Sequence, residues 1–252
     1  MSDAPYPPSL LRRVQKPIRY VGGEYNCIRK DPAAVASRVA LIFPDTYEIG
    51  MSHWGSRLLY HVLNRLPDVA AERVFCPWPD MEAELRRRGR PLCSLENGLP
   101  LREFHVVGIS LLYELTFSNV LTVLDLGGIP LLSRDRPLDA PLVVGGGPVA
   151  SNPEPVADFF DLFVVGDGEE ALPELVRREA ALRPDRARFG TRAEYLRRFT
   201  GLPGVYAPGL YPLREAAGRL VVDAGAAREA GLPVPVVRRR LPDLEGVELP
   251  AD

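Results

Sequence analysis

Between Val39 and Gly55 the chain reads VALIFPDTYEIGMSHWG, its densest set of residues able to do chemistry. Asp45 and Tyr47 supply a carboxylate and a phenol, Gly50 a point where backbone can approach a ligand closely, and His53 an imidazole. Neutral imidazole is a good metal ligand, whereas a phenol with a pKa of ~10 is a poor one. His53 has two readings, a ligand or a histidine bonding locally at a helix start. Ser110 follows a second apolar run, and Gly145, Gly146 and Gly147 follow a third. Glycines without a Cβ allow positive φ and close ligand approach, although they also simply turn a chain. Asp167, Glu169 and Glu170 form a carboxylate cluster with the composition of a Mg²⁺ site or an acid–base pair. We prefer the plainer reading, acidic residues in the first turn of a helix, where the macrodipole favours them. Gly166-Asp167-Gly168 is too short for a dinucleotide fingerprint.

These residues sit where apolar runs end. VALIF at 39–43, HVVGIS at 105–110, PLVVG at 141–145 and DLFVVG at 161–166 have little alternation, as strands buried on both faces do. Leu58, Leu59, Val62, Leu63 and Leu66 recur at helical spacing after the first run, and Pro67 stops that helix. A short strand near 73–75 precedes a helix opening at Asp80-Met81-Glu82 and closing in Arg86-Arg87-Arg88-Gly89. Ser118 to Leu126 is helical with Gly127-Gly128 as its stop, and another helix opens at Gly168. Strand and helix alternation predicts an α/β, Rossmann-like (flavodoxin-like), doubly wound parallel sheet, whose ligands bind outside the strands' carboxyl ends.

The expected organisation is an N-terminal arm over 1–36, a core domain over 37–183 and a connector over 184–252. SLLRRVQKP in the arm is a candidate short helix. After residue 183, RPDRARFGTRAEYLRRF is a charged helical stretch, and GVYAPGLYP, RLVVD and VPVVRRRL are short β-like pieces suited to a small antiparallel extension. LPDLEGVELPAD at the end reads as a linker before a further domain.

With 252 residues, 46% hydrophobic and 25% charged, the composition is that of an ordinary globular chain long enough for a sizeable α/β core. A net charge of −2 gives no whole-chain pull toward nucleic acid or anionic membrane. No stretch approaches the ~20 apolar residues of a spanning helix, and MSDAPYPPSLLRR lacks a signal core, so a cytoplasmic location is expected. Cys27, Cys76 and Cys93 suit a reducing compartment and are too far apart for a Cys-x-x-x-Cys-x-x-Cys cluster motif.

Asp45-Thr46-Tyr47-Glu48-Ile49-Gly50 resembles the Asp-x-His-x-x-Gly loop of cobalamin-binding domains, with tyrosine where the axial histidine would stand. Ser110-Leu111-Leu112 and Gly145-Gly146-Gly147 resemble the Ser-x-Leu and Gly-Gly elements of that fold. Together with KPIRYVGGEYN, FCPWPDME, NPEPVADFFD and VVGDGEEALPEL, the set resembles radical SAM proteins carrying an N-terminal B12-binding-like domain. The resemblance implies a cobalamin site of Asp45, Tyr47, Gly50, His53, Gly55, Ser110, Leu112, Gly145, Gly146 and Gly147. In that site Asp45 orients residue 47 and Ser110 bonds the buried nucleotide tail. It also implies a 4Fe-4S cluster and S-adenosylmethionine in a partner or following radical SAM domain, with SAM cleavage or radical methyl transfer as the chemistry. No catalytic or metal-ligating residue is expected in this chain, which alone should perform neither reaction. The alternative is a module of the same fold that docks a partner or substrate without a corrinoid.

Overall fold

The structure, a computed structural model, describes residues 5–243. A short helix α1 (Pro8–Leu11) opens the N-terminal arm, which lays Tyr6, Leu10, Val14 and Tyr20 onto the core. Then follow β1 (Ser37–Phe43), α2 (Tyr47–Ser52), α3 (Trp54–Asn64), β2 (Val69–Phe75), α4 (Pro79–Arg88), β3 (Val106–Ser110), α5 (Phe117–Leu126) and β4 (Leu142–Gly146). The remaining elements are β5 (Leu162–Val164), α6 (Gly168–Leu182), α7 (Arg192–Arg197), β6 (Val205–Tyr206), β7 (Leu213–Ala216), β8 (Arg219–Val222) and α8 (Ala224–Glu229).

The main sheet has the order β2-β1-β3-β4-β5-β6, parallel except for the antiparallel β6. The strand order reverses between the parallel β1 and β3, β2 being added on one side and β3 to β5 on the other, which makes the carboxyl ends of β1 and β3 the switch point of a doubly wound sheet. Alternate residues face opposite layers. Ala40, Ile42, Val107, Ile109, Val143 and Phe163 pack with Met81 and Leu85 of α4 and Val120 and Val123 of α5. Val39, Leu41, Val106, Leu142, Val144, Leu162 and Val164 pack with Leu63 of α3 and Leu175 and Val176 of α6. Burying each such side chain contributes roughly 1.5–3 kcal/mol, which is why both faces of every central strand are apolar.

Most elements expected from the sequence are present; VPVVRRRL, read as a β-like piece, forms no strand and only an isolated bridge at Arg239, and three further details differ. The helix expected from about Ser52 is α3, capped by the His53 side chain, and the preceding stretch read as a loop carries a separate helix, α2, which ends where the His53 backbone is extended (φ −78°, ψ 114°). The strand near 73–75 begins at Val69. The stretch after residue 183, read as a connector, also feeds the core: Tyr195, Leu196 and Phe199 pack on the α3/α6 face and Tyr206 and Tyr211 on the other. Strands β7 and β8 form the small antiparallel sheet. The linker-like end beyond residue 243 lies outside the described residues. Among the described residues no helix is long and apolar enough to cross a membrane.

Asp161 locks the amino end of β5. It is buried, accepts from the Val143 N–H at 2.8 Å and the Ser133 hydroxyl at 2.6 Å, and pairs with Arg192 and Arg136. Burial alone would raise its pKa, but the two guanidiniums outweigh that and hold it low.

Candidate functional site

On the α3/α6 face the inward series along β3 is Val106, Gly108, Ser110, and along β4 it is Leu142, Val144, Gly146. Toward the carboxyl ends, then, branched side chains give way to a hydrogen, a hydroxymethyl and a hydrogen. The core is hollowed there into a cavity of about 480 Å³. Its floor is Gly108, Ser110, Val144 and Gly146, with Leu41 and Val164 at the sides. His53, Gly55 and Leu59 form one wall, and Gly168, Glu169 and Leu172 of α6 the other. Leu112, Gly147, Pro148, Ser151, Asp167 and Arg238 complete the rim. A Cβ at Gly146 would meet only the Val164 carbonyl oxygen at 4.0 Å, so glycine there leaves open space. Gly145 is different: its Cβ would lie 2.7 Å from the Phe163 ring on the opposite face, so it is glycine for packing.

Of the residues expected at the site, His53, Gly55, Ser110, Leu112, Gly145, Gly146 and Gly147 line this cavity. Asp45, Tyr47 and Gly50 do not. Asp45 Oδ1 accepts from the Thr46 N–H at 2.7 Å, and Oδ2 accepts from the Tyr113 hydroxyl, so its carboxylate ties the loop after β1 to the loop after β3 and not to Tyr47. Tyr47 packs edge-on against Phe75, 5.5 Å between centroids, and burial together with the adjacent Glu24 carboxylate pushes its pKa to about 12. That phenol stays protonated at neutral pH. Gly50 is buried where a Cβ would stand 2.3 Å from the Phe75 ring, so its hydrogen lets α2 lie on the strand ends.

His53 is the N-cap of α3. Its Nδ1 accepts from the Ser56 N–H at 3.1 Å and lies 2.9 Å from the Ser56 hydroxyl, and its ring rests 5.1 Å from that of Phe43. An Nδ1 that accepts carries no proton, so in the neutral ring the proton sits on Nε2, which leaves a donor and no lone pair for a metal. Burial lowers the pKa and keeps the ring neutral. A Cβ on Gly55 would meet this ring at 2.9 Å, which accounts for the glycine.

Among the described residues no group of three His, Cys, Asp or Glu side chains is arranged to hold a metal ion. Cys27, Cys76 and Cys93 are free. Burial pushes Cys76 up to about 12 and Cys93 up to about 11, so both are thiols at neutral pH.

A family model described as radical SAM proteins, N-terminal, matches residues 55–208, more than half of the chain. The chain belongs to this family. The match takes in α3, β3, β4, β5 and α6, the elements that enclose the cavity. A relative, Uncharacterized protein MJ0966 of Methanocaldococcus jannaschii, is 27% identical over 143 residues, covering 56% of this chain. The chain spans 27% of the length of that protein.

Several residues that shape the site of this radical SAM N-terminal domain escape a reading of the sequence alone. Gly108 sits inside an apolar strand run, and a glycine in a strand interior, often a mark of close approach, was its one signal. Glu169 stands in the carboxylate cluster that the sequence shows, but read there as an ordinary acid of a first helical turn it gives no sign that it lines the cavity. Arg238 reaches the rim because Arg239 pairs in parallel with Gly166, far away in the chain.

Proposed function

We propose that this chain is the corrinoid-binding N-terminal part of a radical SAM enzyme, with the nucleotide tail of cobalamin filling the cavity between α3 and α6. The observation that carries the reading is the floor of Gly108 and Gly146 at the carboxyl ends of β3 and β4, a cradle that side chains would fill. Ser110 and the Nε2–H of His53 would hydrogen-bond the tail, and Leu59 and Leu172 would flank its flat ring. No imidazole of this loop is free to ligate cobalt, so the corrinoid would be held by its tail and its rim. Bound cobalamin supplies a cobalt centre able to carry a methyl group. The 4Fe-4S cluster and S-adenosylmethionine would belong to a radical SAM domain, following in the same protein or separate. Exposed Ile49, Trp54, Trp78 and Leu115 all stand just after strand carboxyl ends, an apolar surround that suits a partner over this edge.

Titration of the purified chain with hydroxocobalamin, followed by desalting and corrin absorption, tests the proposal. Retention near one per chain is expected; no retention rejects it. The position of Tyr47 against Phe75 favours one second reading, a module of the same fold that docks a partner or substrate without a corrinoid. That reading predicts no retained corrinoid together with binding of a cluster-bearing radical SAM protein.

A further inference from the structure

At the other end of the sheet from the glycine-floored cavity, where β1 and β3 begin, lies an open cleft of about 780 Å³ lined by Arg38, Arg102, His105, Arg183 and Arg186. The arginines come from three places in the chain: Arg38 from β1, Arg102 from the turn before β3, and Arg183 and Arg186 from the turn after α6. Glu179, buried in α6, pairs with Arg183 at 2.6 Å and with Arg186 at 3.3 Å. Arg38 has no carboxylate partner among the described residues: its Nε donates to the Glu103 carbonyl at 2.9 Å and its Nη1 to the Pro32 carbonyl at 3.3 Å. Glu103 and Asp139 also border the cleft, but both are exposed, and it is their backbone carbonyls that bond Arg38 and Arg186. Three guanidiniums thus share one buried carboxylate. Fastening backbone accounts for each arginine singly, but not for their gathering round one hollow, since like charges repel. The crowding shows in the neighbouring groups. Burial, then Arg183, Arg38 and Arg186, hold His105 down to about 3, and burial with Arg38 and Arg186 lowers Arg183 itself in spite of its Glu179 pair.

We propose that this cleft is an anion site for a phosphate group, free or esterified to a small molecule, held by Arg38, Arg183 and Arg186 with His105 as a neutral donor. Guanidinium N–H groups match phosphate oxygens in charge and geometry. Approach from separate elements favours a tetrahedral anion, whose oxygens point in several directions, over a planar carboxylate. The His105 Nδ1 accepts from the Arg38 N–H at 3.1 Å, so in the neutral ring the proton sits on Nε2, which can donate. A bound dianion would supply the negative charge that Glu179 alone leaves short. Because the cleft and the corrinoid cavity lie at opposite ends of β3, the inference is independent of what fills that cavity.

The test titrates the full chain, in phosphate-free buffer, with inorganic phosphate, with glycerol phosphate, and with acetate or chloride at matched ionic strength. A ligand bound only by the folded state raises the unfolding temperature with its concentration. Phosphate is expected to do so saturably, and acetate and chloride are not. Glycerol phosphate acting at lower concentration than phosphate would identify an esterified ligand, and phosphate acting alone the free ion. Arg38→Gln should weaken phosphate roughly tenfold to a hundredfold, and Arg38→Lys, which keeps the charge without the fork, should recover part of the loss. In the unsubstituted chain, phosphate at neutral pH should shift the His105 ring resonances with the same midpoint as the thermal titration, a readout that needs no variant to fold. Equal effects of phosphate and chloride would overturn the inference. So would His105 resonances that phosphate leaves unmoved, or a folded Arg38→Gln that binds phosphate at parental affinity.

Discussion

The hydroxyl of Tyr113 donates to Oδ2 of Asp45, joining the loop after β1 to the loop after β3 across the switch point of the sheet. Asn119 adds a second tie, donating from Nδ2 to the Pro44 carbonyl at 2.9 Å. The Asp45 backbone carbonyl in turn accepts from the Cys76 N–H at 2.9 Å. Three loops at the carboxyl edge are thus fastened through one residue. Asp45, in the loop whose sequence resembles that of cobalamin-binding domains, here acts as a structural clasp.

Tyr113→Phe removes the hydroxyl and leaves Asp45 without that donor. A hydrogen bond to a charged acceptor at a partly exposed position is worth about 1 kcal/mol, so the variant should be less stable by that amount and unfold at a lower urea concentration. The bond to Asp45, with burial, pushes the Tyr113 pKa up to about 12 from its ordinary 10. The sign follows: the neutral phenol is favoured in the folded state, so its contribution is present below pH 10 and is lost as pH rises toward 12. Urea midpoints of the parent and Tyr113→Phe should differ at pH 8 and converge as pH rises above 10; parallel curves would disprove the clasp.

Gly146→Val should close the cavity without harming the fold. The added atoms point into space where the nearest neighbour of a Cβ is 4.0 Å away, and Gly146 is absent from the positive-φ glycines. Filling a void with methyl groups costs little, and an edge of a buried strand favours valine. Thermal unfolding should stay close to that of the parent while hydroxocobalamin retention falls at least tenfold. A variant that still binds at parental affinity would place the ligand elsewhere.

The strands were legible because burial on both faces requires unbroken apolar runs, and such runs are short, few and bounded by Gly or Pro. The general position of the site was legible for the same reason, since the glycines and Ser110 fall where those runs stop. Which way each glycine points was not: Gly145 and Gly146 are adjacent and identical in sequence, yet one packs against Phe163 and the other opens the cavity. Strand parity decides between them, and it is set by pairing with the neighbouring strands, Gly146 opposite Ser110 of β3 and Val164 of β5. The role of His53 as a local cap was among the readings open from sequence, since its partner Ser56 is three residues on, whereas the role of Asp45 depends on Tyr113 of another loop, which spacing does not encode.

His105, at the amino end of β3, should make stability fall in acid. Its Nδ1 accepts from the Arg38 N–H at 3.1 Å, and burial, reinforced by Arg183, Arg38 and Arg186, lowers its pKa to about 3. The unfolded ring titrates near 6.5, so the unfolded state binds the proton first. The contribution is therefore complete above pH 6.5 and is lost as pH falls from there toward 3. Linkage gives at most about 2 kcal/mol between pH 6.5 and 5, reduced because the ring is partly solvated. The His105 resonances should show no titration above pH 4.5 by NMR, and His105→Asn should flatten the acid limb of the stability curve. A midpoint near 6.5 would contradict the assignment.

Gly166 and Arg239 set the last prediction. The segment around Arg239 lies against the turn between β5 and α6: its N–H donates to the Val165 carbonyl at 2.9 Å, and its carbonyl accepts from the Asp167 N–H at 3.1 Å. Its guanidinium reaches Glu170 at 2.7 Å and Glu174 at 2.9 Å. The approach is so close that a Cβ on Gly166 would stand 2.0 Å from the Arg239 carbonyl oxygen, and φ of +118° is itself closed to side chains. Gly166→Ala must therefore strain the turn or release the strap, at a cost of roughly 1–3 kcal/mol. Because Arg238 on this strap is also a cavity-rim residue, release should show in two places. The amides of Arg239 and Leu241 should exchange with solvent faster than in the parent, and hydroxocobalamin should dissociate faster. Loss of stability with unchanged exchange at Arg239 would mean that the turn absorbs the strain and the strap stays bound.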